Sequence, residues 1–306
     1  MDLMSNTVEL EQWARALEDS GDYRVLRRLP IQEHFGAASA NQTIQVLVVD
    51  TETTGTLFSD DALIEFSGLK VLCDAVTGQV VSITDHYSSL DDPKRPIPES
   101  STAIHGITDD MVKGQCIDEP RVEALCQGVD LVIAHNAAFD RPFLERRLPF
   151  FKNLAFGCSH LQIPWSEEGF SGSKLEYLVS QCGYFYDAHR SEIDCRALVA
   201  VLAKALPRSG QYPIKFLLEH SRSGKTRVFA TKAPFDSKDL LKARGYRWDA
   251  QQKVWHILIQ SDRFKDEALW LKQEVYFGRS AEIQIELLDA KVLFSHRPGV
   301  RRTQVI

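Results

Sequence analysis

The chain has 306 residues, enough for one large domain or two smaller ones, and its 44% apolar and 25% charged content excludes a disordered or fibrous protein. No apolar run approaches the roughly 18 residues of a membrane span, and the N-terminus lacks the basic start and small-residue cleavage site of a secretory signal, so a soluble, cytoplasmic protein without a membrane partner is expected. The net charge of −6 conceals a division: residues 1–205 carry 17 basic against 31 acidic side chains, net −14, whereas 206–306 carry 19 against 11, net +8.

Along the chain, Leu10, Trp13 and Leu17 fall on one face of a helix over residues 6–19, and residues 23–29 (YRVLRRL) read as a second short helix. Residues 1–40 are therefore expected to form a helical extension that docks on the main domain. From Ile44 the pattern changes to strands: IQVLVVD, ALIEFSGLKVLCD and QVVSITDHYSSL, with DAVTG as a hairpin turn between the last two. A proline-rich loop follows, and Thr108, Asp109 and Asp110 mark a helix start. Pro120 opens another helix, LVIA is a short buried strand, FDRPFLERRL is amphipathic, and LAFGCSHL offers a fifth strand. KLEYLVSQCG and DCRALVAVLAKAL read as helices, the second with Leu198, Val201 and Leu202 on its core face. Strands first, then alternating helix and strand, describe an α/β domain over 41–206: a mixed five-stranded sheet flanked by helices.

Residues 207–226 read as a linker around one short helix, because prolines and glycines punctuate them. Beyond it, TRVFAT, SKDLLKARG and YRWDAQQKVWHILI give a small basic α+β (βαββ) module over 227–306. The six cysteines (Cys73, Cys116, Cys126, Cys158, Cys182, Cys195) show no CxxC pair and no histidine at zinc-ligand spacing, so they read as scattered reduced thiols. SRSGKT (221–226) ends like a phosphate-binding loop but has Glu219 where that loop needs glycine, which excludes ATP binding there.

The stretch VLVVDTETTG (46–55) delivers two carboxylates to the end of a core strand. Residues two apart on a strand share a side, so Asp50 and Glu52 can aim at one point, and clustered carboxylates are stable chiefly when divalent cations neutralise them. Their hard oxygen atoms favour Mg²⁺ or Mn²⁺. AHNAAFD places Asp140 near the start of a helix, and HRSEID supplies His189 and Asp194. Five residues apart on one helix would point about 140° apart. His189 is therefore expected on the preceding loop, folded back over Asp194.

VVDTETTG, AHNAAFD and the H-x4-D spacing of His189 and Asp194, in that order, resemble the three motifs of the DEDDh 3′–5′ exonucleases, the superfamily of the DNA polymerase III epsilon subunit and RNase T. AIHGIT (103–108) resembles the family's HGIT segment, and the N-terminal YRVLRRL with the basic tail is similar to a bacterial epsilon-like subgroup. The resemblance covers about Gln45 to Leu206 and implies a ribonuclease H-like fold. It also implies that Asp50, Glu52, Asp140 and Asp194 hold two divalent ions, Mg²⁺ or Mn²⁺, that His189 is the general base, and that 5′-nucleoside monophosphates leave from a 3′ end. Thr53, Thr54 and Gly55 would line the terminal nucleotide with Ile104 and His105, and Asn136 and Phe139 would support the second motif. Ser191 departs from the family, whose members often have a small apolar residue there.

In the tail, Lys242, Arg244, Arg247 and Lys253 interleave with Trp248 and Trp255. Cations bind phosphates without sequence preference and exposed rings stack on unpaired bases, but rings alternating into a small core explain the same pattern. QIELL (284–288) resembles a sliding-clamp-binding peptide and equally an alternating strand. The expected function is a metal-dependent 3′–5′ exonuclease acting on single-stranded or frayed DNA 3′ ends in repair or proofreading, with polymerase or sliding-clamp association as a further expectation. RNA trimming like that of RNase T, and a catalytically weak nucleic-acid or partner-binding module, are the alternatives.

Overall fold

A computed structural model of the chain describes residues 3–37 and 42–306, so residues 1, 2 and 38–40 of the expected extension lie outside the described residues. The central sheet is built from β1 (Thr43–Thr53), β2 (Leu63–Asp74), β3 (Val80–Leu90), β4 (Leu131–Ala134) and β5 (Phe156–Cys158), in the order β3-β2-β1-β4-β5. The first three strands run antiparallel to one another, and β4 and β5 extend the sheet in parallel from β1. Five strands with helices on both faces is the mixed sheet expected from the strand pattern and the ribonuclease H-like arrangement that the family resemblance implies.

The strand alternation of β1 sorts its side chains into two cores. Val46 and Val48 face a layer containing helix Ser191–Leu202 and helix Pro213–Ser223, where Leu198, Leu202 and Leu217 are buried. Leu47 and Val49 face the opposite layer, where Phe143 and Leu144 of helix Ala137–Arg147 are buried. Each such fully buried side chain contributes about 1.5–3 kcal/mol. The central strand therefore ends at the rim of a rigid three-layer sandwich. The helix at 213–223, expected within a linker, places Ile214, Leu217 and Leu218 in that first core.

Residues 23–29 do not form the second helix that their spacing suggests. Arg27–Arg28 pair in parallel with Tyr184–Phe185, and Leu29 packs against the first core. Tertiary partners outweigh local propensity here: the Arg27 guanidinium bridges Glu11 at 2.9 Å and Glu18 at 3.1 Å on helix Leu3–Asp19. That helix leans on this polar side, and its expected docking face stays open, with Leu10, Trp13 and Leu17 at 52%, 62% and 42% exposure.

The C-terminal module is larger than βαββ. Its strands β6 (Lys225–Ala230), β7 (Arg247–Asp249), β8 (Val254–Gln260), β9 (Glu282–Leu288) and β10 (Val300–Val305) form an antiparallel sheet in the order β10-β9-β6-β8-β7. QIELL lies within β9, hydrogen-bonded on one side to β6 and on the other to β10, with Ile283 and Ile285 buried. A strand paired on both edges is not an extended peptide that a sliding clamp can take up, so of the two readings of QIELL the alternating strand is the one the fold takes.

The β9–β10 connection returns to the first domain. Phe156 N–H of edge strand β5 donates to Ala290 O at 2.8 Å, and Phe294 packs in the second core. Arg141, fully buried on the helix that carries Asp140, donates to Ala290 O and Leu293 O at 2.8 Å each and to Lys291 O. Glu145, one turn on, receives Arg141 at 2.7 Å and Arg297 at 3.0 Å. The strap at 289–297 thus covers an otherwise open sheet edge. Among the described residues, no helix is long and apolar enough to cross a membrane, and all six cysteines are free thiols.

Candidate active site

Asp50 and Glu52 share the side of β1 that faces helix Ser191–Leu202, whose first turn carries Asp194. One carboxylate oxygen from each of these three residues lies within 4.8 Å of the other two. Asp140 arrives from the other layer and stands just outside this triad: the Thr51 hydroxyl, between Asp50 and Glu52, donates to its Oδ1 at 2.8 Å. Both helical layers therefore deliver an acid to the end of one central strand. A register shift between Glu52 and Thr53 breaks the β1–β2 ladder there and turns the chain out of the sheet.

The electrostatics of this cluster are strained without cations. Burial, reinforced by Asp140, Asp194, Glu52 and Glu65, pushes Asp50 well above the usual carboxylate range. Burial with Asp194 and Glu65 raises Glu52 to about 8, and burial raises Asp140 to about 7 against the opposing Thr51 hydrogen bond. Asp194 is raised by burial as well, moderated by its hydrogen bonds from Tyr186 and Arg190. Buried like charges that resist ionisation together are a donor set for hard divalent cations, and the cluster can bind metal.

His189 lies on the loop before its helix, exposed, with φ +68. The next residue sets that loop: Arg190 N–H donates to Asp194 Oδ2 at 3.0 Å, so Asp194 also ties down the start of its own helix.

The positions expected to hold a nucleotide divide. Gly55 lies against Asp61, whose Oδ2 would be 2.5 Å from a Cβ at this position, so a larger residue would displace that carboxylate. The Thr53 hydroxyl donates to Gly55 O at 2.6 Å, and Thr54 is buried with its hydroxyl shared among Asp61, Arg95 and Ala62 N–H. Both threonine side chains brace the loop. Ile104 is 61% exposed beside buried His105, whose Nδ1 accepts Ile107 N–H at 3.0 Å and whose Nε2 has no partner among the described residues. Asn136 is exposed at a left-handed helix entry, φ +81, and Phe139 packs 5.3 Å from Phe143.

The description of the exonuclease family (RNase T) matches residues 47–202, half of the chain, and spans all of these acids and the histidine. The chain belongs to the exonuclease family. Its members are hydrolases, and the DEDDh motif order holds in this exonuclease. A DNA polymerase III subunit epsilon-like protein of Rhodobacter capsulatus is 40% identical over 107 residues, 33% of this chain and 14% of that protein. A DNA polymerase III PolC-type of Thermotoga maritima is 28% identical over 224 residues, 69% of this chain and 15% of that protein. This exonuclease thus spans only a small part of the length of these curated relatives. Among solved structures, "Exonuclease X in complex with 5′ overhanging duplex DNA" is similar at 24% identity and TM-score 0.42, over 56% of this chain and 97% of that one. The zinc-bound E. coli ExoI–ssDNA complex is similar at 15% identity and TM-score 0.47, over 71% and 63%.

Several residues that shape the exonuclease site carry no motif signal. Glu65, 3% exposed, stands opposite Glu52 in the β1–β2 register and is paired with Arg190 at 2.8 Å. Tyr186 donates its hydroxyl to Asp194 Oδ1 at 3.0 Å. Ser191, the departure from the family pattern, is fully buried with its hydroxyl 2.7 Å from that of Ser67 on β2, so a polar pair joins helix and sheet there. An i, i+13 relation such as Glu52–Glu65 is invisible until the hairpin register is known.

Proposed function

We propose that this exonuclease removes nucleotides from DNA 3′ ends, releasing 5′-nucleoside monophosphates, in repair or proofreading. The observation that carries the reading is the convergence of Asp50, Glu52 and Asp194 within 4.8 Å, with Asp140 brought beside them by Thr51. Asp50, Glu52 and Asp194 would hold one Mg²⁺ or Mn²⁺ ion, and Asp50 with Asp140 a second. Two such ions, when bound, supply the positive charge that favours attack by water and departure of the 3′ oxygen.

The chain's own residues do the rest. His189, exposed on its loop, takes the proton of the attacking water, for which an imidazole is suited near neutral pH. The bond broken is that between phosphorus and the 3′ oxygen of the preceding nucleotide. Ile104 offers an exposed apolar face to the terminal base, and the Thr53–Gly55 turn allows backbone approach to the sugar. Burial of Asp140, 2% exposed, lowers the local dielectric and strengthens these interactions. The DNA reading is supported by the DNA polymerase III relatives, and their names also support action at polymerase-generated ends.

The test is digestion of matched single-stranded, duplex, mismatched and RNA strands of one sequence with Mg²⁺ or Mn²⁺. DNA is expected to be shortened fastest at unpaired or mispaired 3′ ends. Faster shortening of RNA would overturn the assignment of substrate but leave the exonuclease reading in place.

A further inference from the structure

The C-terminal module holds a concavity lined by aromatic rings and lysines. It has a volume of about 520 Å³ and lies between the end of β6, the loop that follows, helix Lys238–Arg244 and the β7–β8 hairpin. Phe235, Trp248 and Trp255 supply its flat surfaces. Phe235 is 78% exposed and Trp248 50% exposed, although the module has a core that excludes them. Trp248 and Trp255 are cross-strand partners with ring centroids 5.5 Å apart and planes at 58°. Trp255 is half-buried against the module's core and fixes the position of its neighbour.

Lys232, Lys238, Lys242 and Lys253 also line the concavity, and no carboxylate does. Among the described residues none of these four lysines forms an ion pair, whereas arginines of the same module are engaged: Arg244 with Glu267 at 3.0 Å and Arg227 with Glu286 at 2.6 Å. Arg244 also lies 4.8 Å over Trp270, so its structural contacts remove it from the set expected to meet nucleic acid. The lysines thus gather around one opening with their charge uncompensated. Two of them hold the left-handed backbone that favours glycine, Lys232 at φ +55 and Lys253 at φ +51, and both stand at this concavity. Lys238 Nζ sits 4.7 Å from the Phe235 ring centroid and Lys242 Nζ 6.0 Å from that of Trp255, so cation and ring are presented together.

We propose that this concavity binds single-stranded nucleic acid, with an unpaired base stacked on Trp248 and Phe235 and flanking phosphates on the four lysines. A duplex buries the base faces that the rings would meet, and an acidic peptide would satisfy the lysines while leaving the rings exposed. The site belongs to the basic part of the chain, net +8, and supplies an attraction that the acidic part, net −14, opposes. It does not depend on the catalytic reading.

The test uses the full chain in EDTA, which keeps the strand intact, and follows a labelled twenty-residue oligo-dT by fluorescence anisotropy across a salt series, alongside quenching of tryptophan emission. K242E/K253E is expected to bind at least tenfold more weakly. Its log–log salt slope should fall by about 1.4, at about 0.7 per lost phosphate contact on a single strand. W248A is expected to lose about tenfold in affinity and part of the quenching. Both variants should retain the wild-type circular dichroism, and with Mg²⁺ both should release nucleotide from a minimal thymidine ester at the wild-type rate, which separates this site from the catalytic one. Unchanged affinity and slope in K242E/K253E, or unchanged quenching in W248A, would overturn the proposal. So would equal displacement of the strand by polyglutamate or equal binding of the matched duplex.

Discussion

The Arg190 guanidinium lies 2.8 Å from the buried carboxylate of Glu65, and this pair fastens the His189 loop to the strand beside Glu52. The same residue donates its backbone N–H to Asp194, so one arginine connects the proposed base, Asp194 and Glu65. Arg190→Met is expected to lower kcat about 10- to 100-fold, as loss of a supporting contact around a metal site does, and to lower the melting temperature because Glu65 is left buried and unpaired. The double variant E65Q/R190M should recover the stability but not the rate. Steady-state kinetics with thermal unfolding check both, and recovery of the rate would mean that the pair serves stability alone.

The raised carboxyls predict an unusual pH dependence for the metal-free protein. An acid whose folded-state pKa is raised binds a proton that the unfolded chain has lost, so stability is full below about pH 4 for that group and declines as pH rises through the folded value. With Asp140 at about 7 and Glu52 at about 8, the decline should run from about pH 4 to 8. In EDTA the melting temperature is expected to be higher at pH 5.5 than at pH 8.5, and Asp140→Asn should narrow the difference. Added Mg²⁺ or Mn²⁺ should raise it more at pH 8.5 than at pH 5.5. A melting temperature that climbs with pH in EDTA would contradict the electrostatic account.

His189, the proposed base, is exposed in a left-handed conformation, so its ring can be removed without loss of packing. His189→Gly is expected to reduce kcat by about 10²–10⁴-fold while leaving the melting temperature unchanged or higher, since glycine adopts this φ without cost. Single-turnover digestion and calorimetry measure the two effects.

The strap makes the C-terminal module part of the catalytic domain's packing. Arg141→Met is expected to destabilise the protein by about 3–5 kcal/mol, because it leaves Glu145 without one partner and takes a donor from each of three strap carbonyls. Chemical denaturation measures this loss. A chain ending at residue 224 should be insoluble or partly unfolded, even though the family match stops at 202.

The central sheet was legible because its inner strands are apolar runs buried on both faces and the motif acids sit at element ends. Thus β1 announces itself in VLVVD, and helix Ser191–Leu202 in the Leu198, Val201 and Leu202 spacing. What was hidden depends on distant partners. Residues 23–29 have helical spacing but follow the edge offered by Tyr184–Phe185. Arg141 reads as a surface charge on an amphipathic helix, and only carbonyls some 150 positions away explain its burial. The rings of the tail fitted stacking and core equally. The structure divides them, with Tyr246 buried against Glu267 and Trp248 left at the surface.

The central claim is tested most directly by digesting a single-stranded DNA labelled at its 5′ end, with Mn²⁺, by the wild-type protein and by Asp50→Asn. The account predicts a ladder of 5′-labelled strands shortening one nucleotide at a time with release of 5′-monophosphates, and at least a thousandfold slower release by the variant. Immediate release of the labelled 5′ nucleotide, or equal rates for the two proteins, would contradict it.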